Sequence, residues 1–312
     1  MFDLLSLLIA NIIPLYILIA LGFIAGRYLD VNLHSIAIIA IYILAPIVNF
    51  GAMARMEFTP EYISLPLIIF AMSCVIGTTS YLVAQRLWKT NMANLIGMGT
   101  VTGNTMYFGL PVVLALLGEE WVGVYALMNL GMFLNEIGLG YFFGARGSAT
   151  IKGALLKVVK FPVVHAIWIG LLYNLSGLDL PEAFMRYWNY SIGAWVIIGM
   201  MIIGVALSKQ SKLDIDFKLL ASLFIPKFIA WPVIGFALIA LDLFALHWFG
   251  AEVHQMMAII CCVPLAGNLV AYAATLNLHP EKAAAAVLIA TVMAFVTVPA
   301  AILFYRLISN TI

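Results

Sequence analysis

The feature that most constrains this chain is a succession of long apolar stretches with very short polar connections. An α-helix needs about 20 mostly apolar residues to cross the hydrocarbon core of a bilayer. Of the 312 residues, 65% are hydrophobic and 9% are charged. A soluble domain of this length has too little interior to bury so much apolar surface. The sequence therefore predicts an all-α integral membrane protein whose constant partner is the lipid bilayer.

The charges and the cysteines exclude other classes of protein. A net charge of +1 provides no basic surface, so we expect no nucleic-acid partner. The three cysteines lie in apolar stretches, where they are typical of small core residues rather than of a disulfide framework or a metal site. We expect neither a metal nor an organic cofactor. The continuous apolar runs also differ from the alternating pattern of a membrane β-barrel.

Charged and turn residues divide the apolar sequence into ten predicted spans. They cover residues 8–26, 35–53, 62–85, 93–117, 121–143, 161–178, 189–207, 219–241, 255–277 and 283–305. The loops after odd-numbered spans hold eleven of the fifteen Lys and Arg residues, the opposite side holds three, and Lys227 lies within the eighth span. Cytoplasmic loops are enriched in Lys and Arg. This distribution predicts a multi-pass protein of the cell (inner or plasma) membrane with both termini extracytoplasmic.

Ten spans divide into two halves of five, and an odd number of spans per half inverts the second half in the membrane. The predicted repeats are residues 1–150 and 151–312. A proline and a glycine eight residues apart occur in both the first and the sixth span. A Gly-Asn pair occurs in both the fourth and the ninth span. These correspondences favour two inverted five-helix repeats.

The fourth and ninth spans carry residues that interrupt helices. Glycine and proline both destabilise a helix interior, and backbone groups freed in lipid must face protein, water or a ligand. Interruptions at matching positions indicate a transport site. An ordinary proline kink is the alternative. The predicted crossover residues are Gly103 and Pro111 in the fourth span, and Pro264 and Gly267 in the ninth.

Several short motifs, distributed over nearly the whole chain, resemble one family of transporters. They are Pro14-Leu15-Tyr16, Ala45-Pro46 with Asn49-Phe50, Asn104-Thr105 with Gly109-Leu110-Pro111, and Pro264 followed by Asn277-Leu278-His279-Pro280. Together they resemble the auxin efflux carrier family, which includes plant auxin carriers and bacterial organic-acid permeases. The chain departs from the plant carriers at Leu269, where they have a proline, and in 62–85, which contains no acidic residue.

The resemblance implies a fold and a class of substrate. The fold has ten helices in two inverted repeats, with helices 4 and 9 broken and crossing at mid-membrane. Helices 1, 2, 6 and 7 form a scaffold, and helices 3–5 and 8–10 form a transport domain. The substrate is a small organic anion, either a carboxylate such as malate or malonate or an auxin-like compound. The broader superfamily includes sodium–bile acid symporters.

Amides and aromatic side chains near the interruptions are the candidates for binding such an anion. The predicted substrate-binding residues are Asn49, Asn104, Thr105, Tyr107, Asn268 and Tyr272. An amide can donate a hydrogen bond to a carboxylate, but amides also join membrane helices for structural reasons alone. The two tyrosines flank the interruptions, where cavity lining and aromatic packing are equally compatible with the sequence.

Two charged residues lie within predicted spans, where a charge is costly unless it is paired or hydrated. Glu136 shares one helical face with Asn129, which indicates a cation or proton site. Hydration of Glu136 at the cytoplasmic interface is the alternative. Lys227 could neutralise an anionic substrate or pair with Glu136, and snorkelling toward water is its alternative.

The sequence thus predicts a secondary active or potential-driven transporter that works by alternating access. Proton coupling, sodium coupling and uncoupled transport are all compatible with it. A sodium-coupled symporter, a channel or a sensor is the alternative. No motif of a membrane hydrolase or an ATPase is present, so we expect no enzyme activity. Gly140 and Gly144 are spaced for close helix packing, which suits a homodimer or contacts within the chain equally.

Overall fold

A computed structural model describes residues 2–57, 59–88, 90–145, 162–208 and 215–309. Within these ranges the chain is helical and contains no strand. The helices are α1 (Phe2–Tyr28), α2 (Leu33–Arg55), α3 (Pro60–Leu87), α4 (Met92–Val101), α5 (Leu110–Leu117), α6 (Val122–Gly144), α7 (Pro162–Leu175), α8 (Glu182–Ser208), α9 (Phe217–Leu246), α10 (Ala251–Cys262), α11 (Asn268–Thr275) and α12 (Pro280–Ser309). Every predicted span coincides with one or two of these helices.

Seven helical segments of the described chain are long and apolar enough to cross a membrane. Three shorter apolar helices lie at Ile13–Tyr28, Pro162–Leu175 and Ala251–Cys262, and they overlap the first, sixth and ninth predicted spans. Length and composition therefore define a multi-pass helical membrane protein. The arrangement as ten membrane helices in two inverted repeats stays a prediction.

Polar side chains define where two of the helices begin. Asn32 precedes α2 and accepts a hydrogen bond from the backbone N–H of Ser35 at 3.0 Å. Asp216 precedes α9 and accepts one from the N–H of Leu219 at 3.1 Å. Such caps satisfy N–H groups that have no partner within the helix.

Five π-helical turns interrupt the α-helical geometry of the described chain. They lie at Ala40–Leu44, Thr105–Gly109, Glu136–Gly140, Pro226–Ala230 and Asp242–Leu246. A π turn places one additional residue in a helical turn and frequently occurs at functional sites. Three of these turns contain a residue that the sequence analysis singled out: Thr105, Glu136 and Lys227.

The chain divides into two compact units. Unit one contains α1, α2, α7, α8 and residues Met106–Leu127. Its helices approach closely, because Gly204 of α8 lies directly against the backbone of α1 at Ile19. Unit two contains α3, α4, the remainder of α6, and α9 to α12. Its apolar core joins side chains of α4, α9, α11 and α12, including Leu95, Leu223 and Leu269.

Candidate functional site in unit two

Two interruptions of helical structure meet in unit two. The first is the non-helical segment from Thr102 to Asn104, which follows α4. The second is the segment from Val263 to Ala266, which separates α10 from α11. The backbone N–H of Asn104 donates a hydrogen bond to the carbonyl oxygen of Pro264 at 2.8 Å. One freed donor is therefore satisfied by a freed acceptor of the other segment.

The four residues predicted to form the crossover take different positions. Gly103 lies in the first interruption and Pro264 in the second. Pro111 instead lies in the first turn of α5, directly after the π turn at Thr105–Gly109. Gly267 immediately precedes α11, in open space where a side chain would contact nothing.

Gly103 lies where three other segments converge. A methyl group on its Cα would lie 2.6 Å from Sδ of Met132 and 3.0 Å from Nζ of Lys227. It would also lie 3.3 Å from a methyl group of Val263. Glycine is therefore the residue that lets α6, α9 and the second interruption approach the first.

Glu136 is held by two donors from α11. Its carboxylate is buried, and Oε1 accepts a hydrogen bond from the Asn268 amide at 3.0 Å. The hydroxyl of Tyr272 donates a second hydrogen bond to the same carboxylate. Burial argues against hydration at the membrane interface, which was the alternative for Glu136. The tyrosine also makes an edge contact with Tyr141, with ring centroids 6.2 Å apart.

Lys227 is completely buried, with 0% of its surface exposed. Its Nζ atom forms no hydrogen bond with any described residue. The nearest aromatic ring is that of Trp231, whose centroid is 5.2 Å from Nζ. This environment is not that of a lysine that snorkels to water, because the ammonium is as buried as its stem.

The side chains of Asn129 and Thr105 contact each other. The Thr105 hydroxyl donates to the side-chain oxygen of Asn129. The pairing of Asn129 with Glu136 on one helical face was the basis of the predicted cation or proton site. Among the contacts of the described residues, Asn129 binds Thr105, and Glu136 binds Asn268.

Two predicted substrate-binding residues belong to unit one. The Asn49 amide donates to the carbonyl oxygen of Ala45 in its own helix at 2.8 Å. The Tyr107 ring packs against Trp195 at a centroid distance of 4.9 Å, and its hydroxyl is buried without a partner among the described residues. Their predicted contacts with a substrate remain predictions.

Sequence analysis did not single out Trp231 or the two cysteines near Lys227. The indole N–H of Trp231 donates to the carbonyl oxygen of Thr100 at 2.9 Å, close to the end of α4. Cys261 and Cys262, at the end of α10, lie within electrostatic range of the Lys227 ammonium. The adjacent proline in Pro226-Lys227 was the available signal, since it marks a local change of helix geometry at a buried charge.

The arrangement belongs to a multi-pass helical membrane protein with a buried, charged site beside two interrupted helices. The chain is similar to a protein of Methanocaldococcus jannaschii that is named an uncharacterized transporter, with 30% identity over 185 residues. This match covers 57% of the chain and 59% of the relative. A second protein of that name, from Methanothermobacter thermautotrophicus, is 24% identical over 64% of the chain and 67% of its own length. No protein-family model matches the chain.

Proposed function

We propose that this protein is a membrane transporter that moves a small organic anion by alternating access. The observation that carries the proposal is the buried ammonium of Lys227 next to Gly103, where the two interrupted helices meet. Interrupted helices that surround polar groups at depth are typical of substrate sites in secondary transporters. The names of the two archaeal relatives support transport as the activity.

The anionic character of the substrate follows from the donors around the interruptions. Lys227 supplies one positive charge beside Gly103. Asn104 follows Gly103 in the first interruption, and Asn268 begins α11 directly after Gly267. The beginning of α11 adds the positive end of the helix dipole. A carboxylate such as malate or malonate, or an auxin-like acid, matches this set. We propose no enzymatic step.

The proposed architecture is the ten-helix fold with two inverted repeats, residues 1–150 and 151–312. Two observations support it. The first interruption contains the pair Gly103-Asn104, and the second ends directly before the corresponding pair Gly267-Asn268. Each compact unit also combines helices of both halves. Unit one would be the scaffold, and unit two the transport domain.

Transport can be tested in proteoliposomes that contain the purified protein and labelled malonate. We expect saturable uptake that is accelerated by unlabelled malonate on the opposite side, because a carrier exchanges bound substrate. Asn104→Ala and Asn268→Ala should each reduce uptake at least tenfold. Flux that does not saturate and shows no exchange would favour a channel. Binding without flux would favour a sensor.

Sodium coupling is a second candidate, because unit two contains oxygen atoms of the kinds that bind a cation, in the buried carboxylate of Glu136 and in the paired side chains of Thr105 and Asn129. Uptake with and without a sodium gradient distinguishes it. A sodium requirement at every pH would assign the site to a symporter of the bile-acid type.

Orientation in the cell membrane can be tested with single cysteines at exposed loop positions. We propose that both termini are extracytoplasmic, which places Asn32 in the cytoplasm and Glu120 outside. A membrane-impermeant thiol reagent should label Glu120→Cys in intact cells, and should label Asn32→Cys only after permeabilisation. The reverse pattern would invert the topology.

A further inference from the structure

The Lys227 ammonium is a buried charge without a direct counter-ion. Its Nζ makes no hydrogen bond, and no carboxylate of the described residues lies within ion-pair distance of it. An isolated buried ammonium costs several kcal/mol of folding free energy. A stable protein keeps such a group where a ligand completes its coordination, and the natural ligand for an ammonium is an anion.

The carboxylate of Glu136 is hydrogen-bonded to residues other than Lys227. It interacts with Lys227 electrostatically without a direct ion pair. Its hydrogen bonds come instead from Asn268 and Tyr272 of α11. Glu136 therefore balances the charge of Lys227 at a distance and leaves the ammonium free to bind another carboxylate.

One ammonium can balance one carboxylate. When Glu136 is ionised, the pair is neutral, and a bound anion adds an uncompensated negative charge inside the protein. When a proton occupies a Glu136 carboxylate oxygen, the bound anion instead neutralises Lys227. The interaction of buried charges is strong enough for this difference to affect affinity.

We propose that the transported carboxylate binds directly to Nζ of Lys227, and that each bound anion is accompanied by one proton on Glu136. This inference rests on the proposed function and specifies its binding group and its coupling ion. The proton comes from the side on which the anion enters, binds a carboxylate oxygen of Glu136, and leaves with the anion on the other side. Anion and proton thus move in the same direction, with no bond broken in the substrate.

Other titratable groups interact with this pair. Those near Lys227 are Cys261 and Cys262 of α10, and the one beside Glu136 is Tyr272 of α11, which in turn contacts Tyr141 of α6. Thiols and phenols ordinarily titrate well above neutral pH. Glu136 is therefore the group of this set whose protonation accounts for a response between pH 5.5 and 7.5.

Direct binding of acetate and malonate to the purified full-length protein, measured by calorimetry in sodium-free buffer at pH 5.5 and 7.5, tests the proposal. Acetate is the decisive ligand, because it stays mostly ionised at both pH values, whereas malonate itself takes up a proton in this range. Wild type should bind the anion at least about tenfold more tightly at pH 5.5, because a proton bound together with the anion adds up to tenfold per pH unit. Glu136→Gln should bind tightly at both pH values. Lys227→Met should lose about 30-fold or more in affinity.

Matched control variants carry the same chemical change at exposed positions. Lys218→Met lies on the same helix as Lys227, and Glu57→Gln lies in a loop. Both should bind like wild type. Lys227→Met should also unfold at a higher temperature than wild type, because it removes a buried charge without a partner. This stability readout shows that a loss of binding is not a loss of folding.

Three results would overturn the inference. They are wild-type affinity in Lys227→Met, an unchanged pH response in Glu136→Gln, and binding that requires sodium at both pH values. Each of these leaves carboxylate transport intact. If neither malonate nor acetate binds wild type at either pH, and labelled malonate is not transported, the proposed function itself fails.

Discussion

Nε2 of His254 lies 2.9 Å from Oδ2 of Asp242, and both side chains are buried. The same carboxylate accepts hydrogen bonds from the backbone N–H groups of Trp248 and Phe249, at 3.0 and 3.1 Å. Between Asp242 and Trp248 the chain turns at His247, which has a left-handed φ of 53°. Asp242 thus joins the end of α9, the following turn and the start of α10.

Asp242→Ala should lower the free energy of unfolding by about 3–5 kcal/mol, because it leaves a buried histidine and two backbone donors without an acceptor. Thermal unfolding in detergent measures the change. Asp242→Asn keeps one acceptor and should have an intermediate effect. Asp179→Asn, in an exposed loop, is the control. Wild-type stability of Asp242→Ala would contradict this account of the turn.

Two glycines of α8 should respond oppositely to alanine. A methyl group at Gly204 would lie 1.9 Å from the carbonyl oxygen of Ile19, so Gly204→Ala should separate α1 from α8 and strongly destabilise unit one. At Gly193 a methyl group meets nothing within 4 Å. Gly193→Ala should be neutral or stabilising by up to about 1 kcal/mol through helix propensity. Equal unfolding temperatures of the two variants would refute the close contact.

The Asp216–Lys282 ion pair should make stability depend on pH in the acid range. The hydrogen bond from Lys282, whose Nζ is 2.7 Å from Oδ2, lowers the pKa of Asp216. A lowered pKa adds stability above the unfolded-state value of about 3.9, and this stability is lost as the pH falls through the folded-state pKa.

Asp216→Asn retains a capping oxygen but removes the charge. It should be less stable than wild type by up to about 1 kcal/mol at pH 7, and the difference should shrink as the pH falls below about 4. Thermal unfolding across this range measures it, with Lys282→Gln as the matched variant of the partner. A difference that is constant from pH 7 to pH 3 would show that the pair contributes nothing through charge.

Trp231→Phe should destabilise the backbone at the first interruption, the segment from Thr102 to Asn104. It removes the indole N–H that binds the carbonyl oxygen of Thr100, and a buried carbonyl without a donor costs about 1–3 kcal/mol. Because this carbonyl precedes Gly103 by three residues, we also expect slower malonate uptake. Trp248→Phe is the control, since that indole is exposed. Unchanged stability and uptake in Trp231→Phe would show that this hydrogen bond contributes neither to the stability of the protein nor to transport.

The helices could be predicted from the sequence because their apolar runs are long and their ends carry turn residues. The interruptions near Gly103 and Pro264 were also predictable, since both residues disfavour a helix within an apolar run. Pro111 was less informative, because a proline in the first turn begins a helix as readily as a proline elsewhere interrupts one.

The contacts of the site could not be predicted. Asn268 and Glu136 are 132 residues apart in the chain, and only helix packing brings them within 3.0 Å. The comparison of Glu136 with Asn129 considered one helix alone, whereas the partner of Glu136 lies on α11. The π turn that begins at Glu136 was not predictable either. No periodicity of apolar residues signals one additional residue in a turn. That the Lys227 ammonium has no hydrogen-bond partner among the described residues likewise depends on how α9 packs against its neighbours.

The π turns at Glu136 and Lys227 also bear on how this chain is related to others. One residue corresponds to a rotation of about 100° around an α-helix. A homologue that replaces either turn by a regular α-helix must lack one residue there, or it would present a different face beyond that point. Alignments of distant relatives should therefore contain single-residue gaps at Glu136–Gly140 and Pro226–Ala230, inside membrane helices where gaps are otherwise rare. We expect relatives with such gaps to have lost the charged residues at the positions of Glu136 and Lys227, and relatives without the gaps to retain them.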